Sequence, residues 1–190
     1  MTKSPITRIL IIHGYASSGP KHWQTWLARE CEKAGLETHY PDLPNPYNPD
    51  VGEWMAALRA ELPDPDERTA LVGHSLGCAA IFHLLKQEHV RTVGDVVLVA
   101  PAHARNVAQS RQAYLAPFYQ GMDYANARKK AGRIDLFVSD EDVWMSMADS
   151  KAMARELGAR LHVFHDAGHL SINAGYHTFP EVLDVILAKD

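Results

Sequence analysis

The chain has 190 residues, 46% of them hydrophobic and 22% charged, with a formal net charge of −4. That length can bury a full core as one domain over residues 1–190, and the balance is that of a soluble globular protein rather than a disordered or fibrous one. The mild acidity offers no basic footprint for nucleic acid or an anionic membrane, and no apolar run approaches the length that spans a bilayer.

Ile6 to Ile12 is a short isoleucine-rich run without clean alternation, as expected of a strand buried on both faces, and it ends in His13-Gly14-Tyr15. The segment from Met1 to Ile12 has too little apolar length for a signal peptide and no cleavage-like site. Pro20 to Ala34 follows, with Trp23, Leu27, Cys31 and Ala34 at helical spacing and Gly35 as a stop. Trp23 and Trp26 read as packing residues. Leu36 to Tyr40 is a second strand. The next stretch, Pro41-Asp42-Leu43-Pro44-Asn45-Pro46-Tyr47-Asn48-Pro49, is too rich in proline for strand or helix. Helical spacing returns from Val51 to Leu62, through Trp54 and Leu58, before a polar turn over Pro63 to Arg68.

An apolar run, Thr69 to Val72, then enters Gly73-His74-Ser75-Leu76-Gly77, and an apolar helical pattern leaves it through Ala79, Ala80, Phe82, Leu84 and Leu85. Asp95 to Ala100 is another buried strand. Pro101 to Gly132 is the least readable region; its Tyr114, Phe118, Tyr119 and Tyr124 lie among polar residues, compatible with one or two short helices. Ile134 to Val138 is the next strand, ending in Ser139-Asp140-Glu141-Asp142-Val143-Trp144. A helix over Met145 to Leu157 stops at Gly158, and Arg160 to Phe164 is the last strand, followed by His165-Asp166-Ala167-Gly168-His169-Leu170. A closing helix runs from about Phe179 to Ala188. Cys31 and Cys78 both fall on apolar helix faces, which reads as buried free thiols in a reducing compartment and a cytoplasmic protein.

Strands alternating with helices imply right-handed crossovers and a mostly parallel sheet of about six strands, covered on both faces. Sites in such sheets form beyond the C-terminal ends of the strands. Tyr15, Ser75, Asp142 and His169 each follow a predicted strand.

Gly73-x-Ser75-x-Gly77 between a strand and a helix matches the nucleophile elbow of α/β-hydrolases: glycines allow the sharp turn, and the serine is held strained at its tip. The Leu76 N–H, at the helix start, is one expected oxyanion donor, and the Tyr15 N–H after the first strand is the second. A serine hydroxyl needs a base to take its proton, and the order Ser, acid, His requires a late histidine. Of 11 histidines, His169 stands on the loop past the last strand, where Gly168 lets the chain turn back; His165 and His177 are the alternatives. The acid follows the penultimate strand, where Asp140, Glu141 and Asp142 compete. Asp140 is nearest the strand end. Asp142 has more loop in which to reach His169, and Val143 and Trp144 after it would shield the pair from water. His74, His103, Phe118, Tyr119 and Trp144 are candidates for the substrate pocket. The histidines have no accompanying carboxylate cluster on one helix, so no metal is implied, and no glycine loop suits a phosphate.

The sequence resembles the small serine hydrolases of the YdeN and retinoblastoma-binding-protein-nine family. The shared features are the His13-Gly14 loop with its tryptophan-bearing helix, the Pro41-Asp42-Leu43-Pro44-Asn45-Pro46 segment, Gly73-His74-Ser75-Leu76-Gly77, Ser139-x-x-Asp142 and Ala167-Gly168-His169. The resemblance implies a compact α/β-hydrolase fold without a cap domain, and it selects Asp142 as the acid. Together these readings predict a cofactor-independent hydrolase of carboxylic esters, thioesters or small amides, acting on a small-molecule acyl substrate through Ser75, His169 and Asp142. The alternative is a protein-binding module that keeps the hydrolase fold without turnover, which would show a triad member missing or displaced.

Overall fold

The computed structural model describes residues 5–16 and 22–188. Six strands form one sheet: β1 (Arg8–Ile12), β2 (Glu37–His39), β3 (Thr69–His74), β4 (Val93–Val99), β5 (Ala131–Ser139) and β6 (Arg160–Phe164). Their order is β2-β1-β3-β4-β5-β6, and every neighbouring pair is parallel. Between them run α1 (Trp23–Lys33), α2 (Val51–Glu61), α3 (Leu76–Leu85), α4 (Ala104–Ala108), α5 (Ala116–Tyr119), α6 (Tyr124–Lys130), α7 (Met147–Leu157) and, after β6, α8 (Pro180–Leu187). Pro20 and Lys21, at the predicted start of α1, lie outside the described residues.

Successive side chains of a strand point to opposite faces, and this divides the apolar runs between two cores. Ile9 and Ile11 of β1, with Ala70, Val72, Val97, Val99 and Phe137, pack under α1 and α8 through Trp23, Leu27, Cys31, Phe179, Val182 and Ile186. Leu10 and Ile12, with Leu71, Val96, Leu98, Leu136 and Val138, pack under α2, α3, α6 and α7. Both faces of the central strands are therefore apolar, which is why the sequence shows no alternation there. The helix α3 is apolar nearly all round because nine of its ten residues are buried, all but His83.

The chain leaves β1 in one direction across the sheet to β2 and returns to pair β3 on the other side. The helices that follow β1 and β3, α1 and α3, therefore lie on opposite faces, and a crevice opens between the C-terminal ends of these two strands. In the Pro101 to Gly132 stretch the structure has three short helices, α4, α5 and α6, and a 3₁₀ turn at Ala113–Leu115, rather than one or two helices. No helix among the described residues is long and apolar enough to cross a membrane.

Candidate active site

Ser75 sits between the last residue of β3 and the first of α3 with φ 53° and ψ −115°, a backbone conformation that costs a non-glycine residue about 1–3 kcal/mol. The surroundings hold it there. The Ser75 N–H donates to the Val99 carbonyl at 2.9 Å, and the Cys78 N–H donates to the Ser75 carbonyl at 3.0 Å. The flanking glycines are required by close approach. A Cβ on Gly73 would lie 2.7 Å from the Gly77 carbonyl group, and one on Gly77 would lie 2.2 Å from the Ile12 carbonyl oxygen. The elbow is thus wedged against the end of β1. The Cys78 thiol lies beneath it, 3.2 Å from the Gly73 carbonyl oxygen, and burial pushes its pKa far up, so it is an inert packing group.

His169 reaches this serine from the loop after β6. Its Nε2 is 2.8 Å from Ser75 Oγ, and its Nδ1 is 2.8 Å from Asp142 Oδ2. The carboxylate accepts the Nδ1 proton, so the free lone pair on Nε2 faces the serine hydroxyl. Asp142 is itself buried, and its Oδ1 accepts the Trp144 N–H at 2.9 Å. Asp140, the competing acid, turns away: its Oδ2 is 2.6 Å from Nδ1 of the exposed His165, and its Oδ1 accepts the Asp166 N–H at 3.0 Å. Val143 does not shield the Asp142–His169 pair, because it is 81% exposed. Of the two, Trp144 lies near the pair, its ring centroid 6.4 Å from that of His169.

The His169 loop is sharply folded. Asp166, Gly168 and Leu170 have φ of 52°, 50° and 46°, two of them without a glycine's freedom. Ser139 Oγ accepts the Ala167 N–H at 3.1 Å and so ties the loop to the end of β5.

The loop after β1 is equally constrained. The Leu43 N–H donates to His13 Nε2 at 3.1 Å, so the proton of this buried imidazole is on Nδ1, which donates to the Gly14 carbonyl at 2.7 Å. Burial lowers the His13 pKa and keeps the ring neutral. In a trans peptide the N–H points opposite to the C=O, so fixing the Gly14 carbonyl also fixes the direction of the Tyr15 N–H. Two residues on, the Ala16 N–H donates to the Pro46 carbonyl at 3.0 Å. The proline-rich segment therefore clasps this loop at both ends. Pro44 in turn accepts the Trp54 indole N–H at 2.9 Å, which anchors the segment to α2. His13 was legible in the sequence only as part of a loop; the nearby prolines carried a signal of rigidity but not of what they hold.

These loops enclose a cavity of about 330 Å³ whose lining includes Tyr15, His74, Ser75, Leu76, Tyr119, Trp144 and His169. Two candidates for the pocket are elsewhere. Phe118 is buried in the core with its ring edge-on to Trp54, 5.1 Å between centroids, because α5 turns that face inward onto α2 and α3. His103 is the N-cap of α4: its Nδ1 accepts the Arg105 N–H at 3.2 Å, and its Nε2 lies 3.8 Å from Asp149. The wall also contains His22, Gln112, Ser171 and Asn173, which sequence reasoning missed because they sit in loops and short turns without a pattern of their own. Among the described residues no group of three or more His, Cys, Asp or Glu could hold a metal ion.

Comparison with known proteins agrees with this architecture. The chain is 30% identical over 181 residues to the Bacillus subtilis (strain 168) protein YdeN, covering 94% of each chain. It is 23% identical over 166 residues to Serine hydrolase RBBP9 of Rattus norvegicus, covering 87% of this chain and 86% of that one. The crystal structure of the B. subtilis ydeN gene product superposes with a TM-score of 0.84 at 29% identity, over 95% of this chain and 96% of that one. The fold is of the α/β-hydrolase type. The model of the family described as Serine hydrolase matches residues 9–188, nearly the whole sequence, and the chain belongs to that family.

Proposed function

We propose that the protein is an esterase that cleaves small carboxylic esters through an acyl-enzyme on Ser75, with thioesters and small amides as chemically related substrates. The observation that carries this reading is the unbroken hydrogen-bonded series from Ser75 Oγ through His169 to Asp142, with both links at 2.8 Å. A binding module without turnover has no need to hold a serine at φ 53° against an unprotonated imidazole nitrogen.

The reaction then runs as two acyl transfers. Ser75 Oγ attacks the ester carbonyl while its proton passes to His169 Nε2, and Asp142 stabilises the imidazolium. The oxyanion is met by the backbone N–H groups of Leu76, at the positive end of α3, and of Tyr15. Collapse expels the alcohol, which takes the proton from His169. A water then repeats the sequence on the acyl-enzyme and releases the acid. A cavity of about 330 Å³ is at the small end of the range for ligand sites, and only short helices lie between β4 and β5 to extend it. Both features favour short acyl chains.

A fluorophosphonate probe reports an activated serine whatever the natural substrate. The wild-type protein is expected to label at Ser75 and to turn over p-nitrophenyl acetate faster than the palmitate ester, and a folded Ser75→Ala variant is expected to do neither. Labelling that survives the substitution, at Ser139 for instance, would move the nucleophile; faster turnover of the long ester would remove the small-substrate assignment.

A further inference from the structure

The His169 loop is gripped from within the protein by two buried ring N–H groups on consecutive carbonyls. His74 Nε2 is 3.0 Å from the His169 carbonyl oxygen, and the Trp23 indole N–H donates to the Leu170 carbonyl at 3.0 Å. A carbonyl only accepts, so the His74 proton is on Nε2. Both rings are buried and stand edge to face, with centroids 5.8 Å apart, and the His74 ring is 5.2 Å from that of His169. One donor stands at the end of β3, on the face that Ala70 and Val72 present to α1, and the other is on α1 itself, so two separate elements of that face hold the loop.

The hydrogen bonds to Ser75 Oγ and Asp142 Oδ2 hold the two ring nitrogens but leave the ring free to rock about the line between them. A second link, from the residue beside Ser75 to the backbone of His169, removes much of that freedom. It connects adjacent residues of the elbow to opposite ends of one histidine. Leu170, at φ 46°, needs an external hold because a leucine does not rest there by its own preference. Among the described residues the other ring nitrogen of His74, Nδ1, has no hydrogen-bond partner, so this is the ring's one hydrogen bond. Burial and the neighbouring His169 push its pKa down to about 3, which keeps it a neutral donor at working pH.

We propose that His74 and Trp23 are positioning residues that hold the His169 imidazole in register with Ser75 and Asp142 by grasping the two carbonyls of its loop. This rests on the triad reading above. Three variants test it. His74→Phe keeps a ring against Trp23 and removes the N–H. His74→Gln returns an amide N–H near the place of Nε2. Trp23→Phe removes the indole donor while keeping an aromatic ring against His74 and every elbow residue unchanged, and so carries the comparison if His74→Phe does not fold.

Two readouts are taken on each folded variant: steady-state kinetics with a short p-nitrophenyl ester, and the NMR signal of the proton shared between His169 Nδ1 and Asp142. A misplacement of the base by a fraction of an ångström is expected to lower kcat about tenfold or more in the two Phe variants, with KM within about twofold. The shared-proton signal should broaden or vanish in the same variants, and His74→Gln should recover both. Unchanged kcat with an intact signal, a fall in kcat with the signal intact, or a Gln variant as impaired as the Phe variant would overturn the proposal. If the wild type itself neither labels with fluorophosphonate nor turns over ester, the catalytic reading fails, while the NMR comparison still decides whether these rings place His169.

Discussion

Replacing Gly77 by alanine tests whether the elbow and the end of β1 form one rigid unit. The added Cβ would lie 2.2 Å from the Ile12 carbonyl oxygen and 2.8 Å from that of His13. Atoms of this kind do not approach below 3.0 Å, so α3 and β1 must separate by about 1 Å. No flexible side chain can give way, since both contacts are backbone. Ile12 is fully buried and locked in register opposite Gly73, and α3 is buried around nearly its whole circumference. Overpacking of this sort typically costs about 1–3 kcal/mol, and here, where nothing can relax, about 3–4 kcal/mol. Alanine's better helix propensity returns about 1 kcal/mol. A net loss of about 2–3 kcal/mol is therefore expected, seen as a urea midpoint lower by about 1 M with an unchanged slope.

The same displacement moves His13 to Tyr15 away from Ser75, and a shift of about 1 Å at a reacting centre costs about 10²-fold in rate. Gly35→Ala is the control. Gly35 has φ +84° with open space around its Cβ position, so only the left-handed backbone is strained, at about 1–2 kcal/mol, and ester hydrolysis should stay as in the wild type. A Gly77→Ala protein with wild-type midpoint and kcat would refute the rigid contact. One that loses stability but keeps kcat would refute its coupling to the Tyr15 loop.

Asp142→Asn places an amide against His169 Nδ1 and favours the wrong tautomer; it is expected to lower kcat by about 10²–10⁴-fold, while Asp140→Asn, at a side chain that meets His165 and the Asp166 N–H, changes it less than about threefold. Parallel kinetics on the two folded variants decide the acid, and equal losses would return the choice to Asp140. His39, at the end of β2, gives a pH signature of stability. Burial opposes its charge, but hydrogen bonds to Glu61 and Glu37 at 2.9 and 3.0 Å outweigh it and raise the pKa above 6.5. A raised folded pKa adds stability that is complete below pH 6.5 and fades as pH rises through the folded value. In urea titrations His39→Gln should cost about 0.5–1 kcal/mol at acidic pH near 5.5 and less above pH 8, the size expected for partly exposed ion pairs; a larger cost at the alkaline end would contradict the assignment.

The strands, the strand-to-helix turn at Ser75 and the loops that carry Asp142 and His169 were legible because each is a local pattern: an apolar run, a glycine-spaced turn, a polar cluster after a strand. What was not legible is what depends on facing. Phe118 and Tyr119 are adjacent aromatics on one short helix, yet Phe118 packs on Trp54 and Tyr119 borders the cavity. A four-residue helix has too little length for periodicity to separate its faces. Val143 and Trp144 divide in the same way, one into solvent and one over His169, since the turn that Asp142 Oδ1 makes with the Trp144 N–H decides the direction. The proline-rich segment announced rigidity by composition, but its partners, His13 and Ala16, lie about 30 residues earlier in the chain, and the contacts run through backbone groups of Leu43 and Pro46 that no side-chain pattern reveals.

Three of the histidines around the site divide, in the proposed reaction, between holding and reacting. His13 has its Nε2 occupied by the Leu43 N–H and its Nδ1 proton on the Gly14 carbonyl; His74 has its Nε2 proton on the His169 carbonyl. Both are buried, and burial drives both pKa values down, which favours the neutral ring in each. An imidazole in that state is a rigid hydrogen-bonding strut. His169 differs in one respect: its Nδ1 meets a carboxylate rather than a backbone amide or carbonyl, and Asp142 is positioned to balance a positive charge on the ring. In the proposed reaction the proton released by Ser75 therefore passes to His169. A second imidazole able to take a proton beside the first would repel the imidazolium just as it forms; burying His74 with a single carbonyl partner keeps it out of that competition.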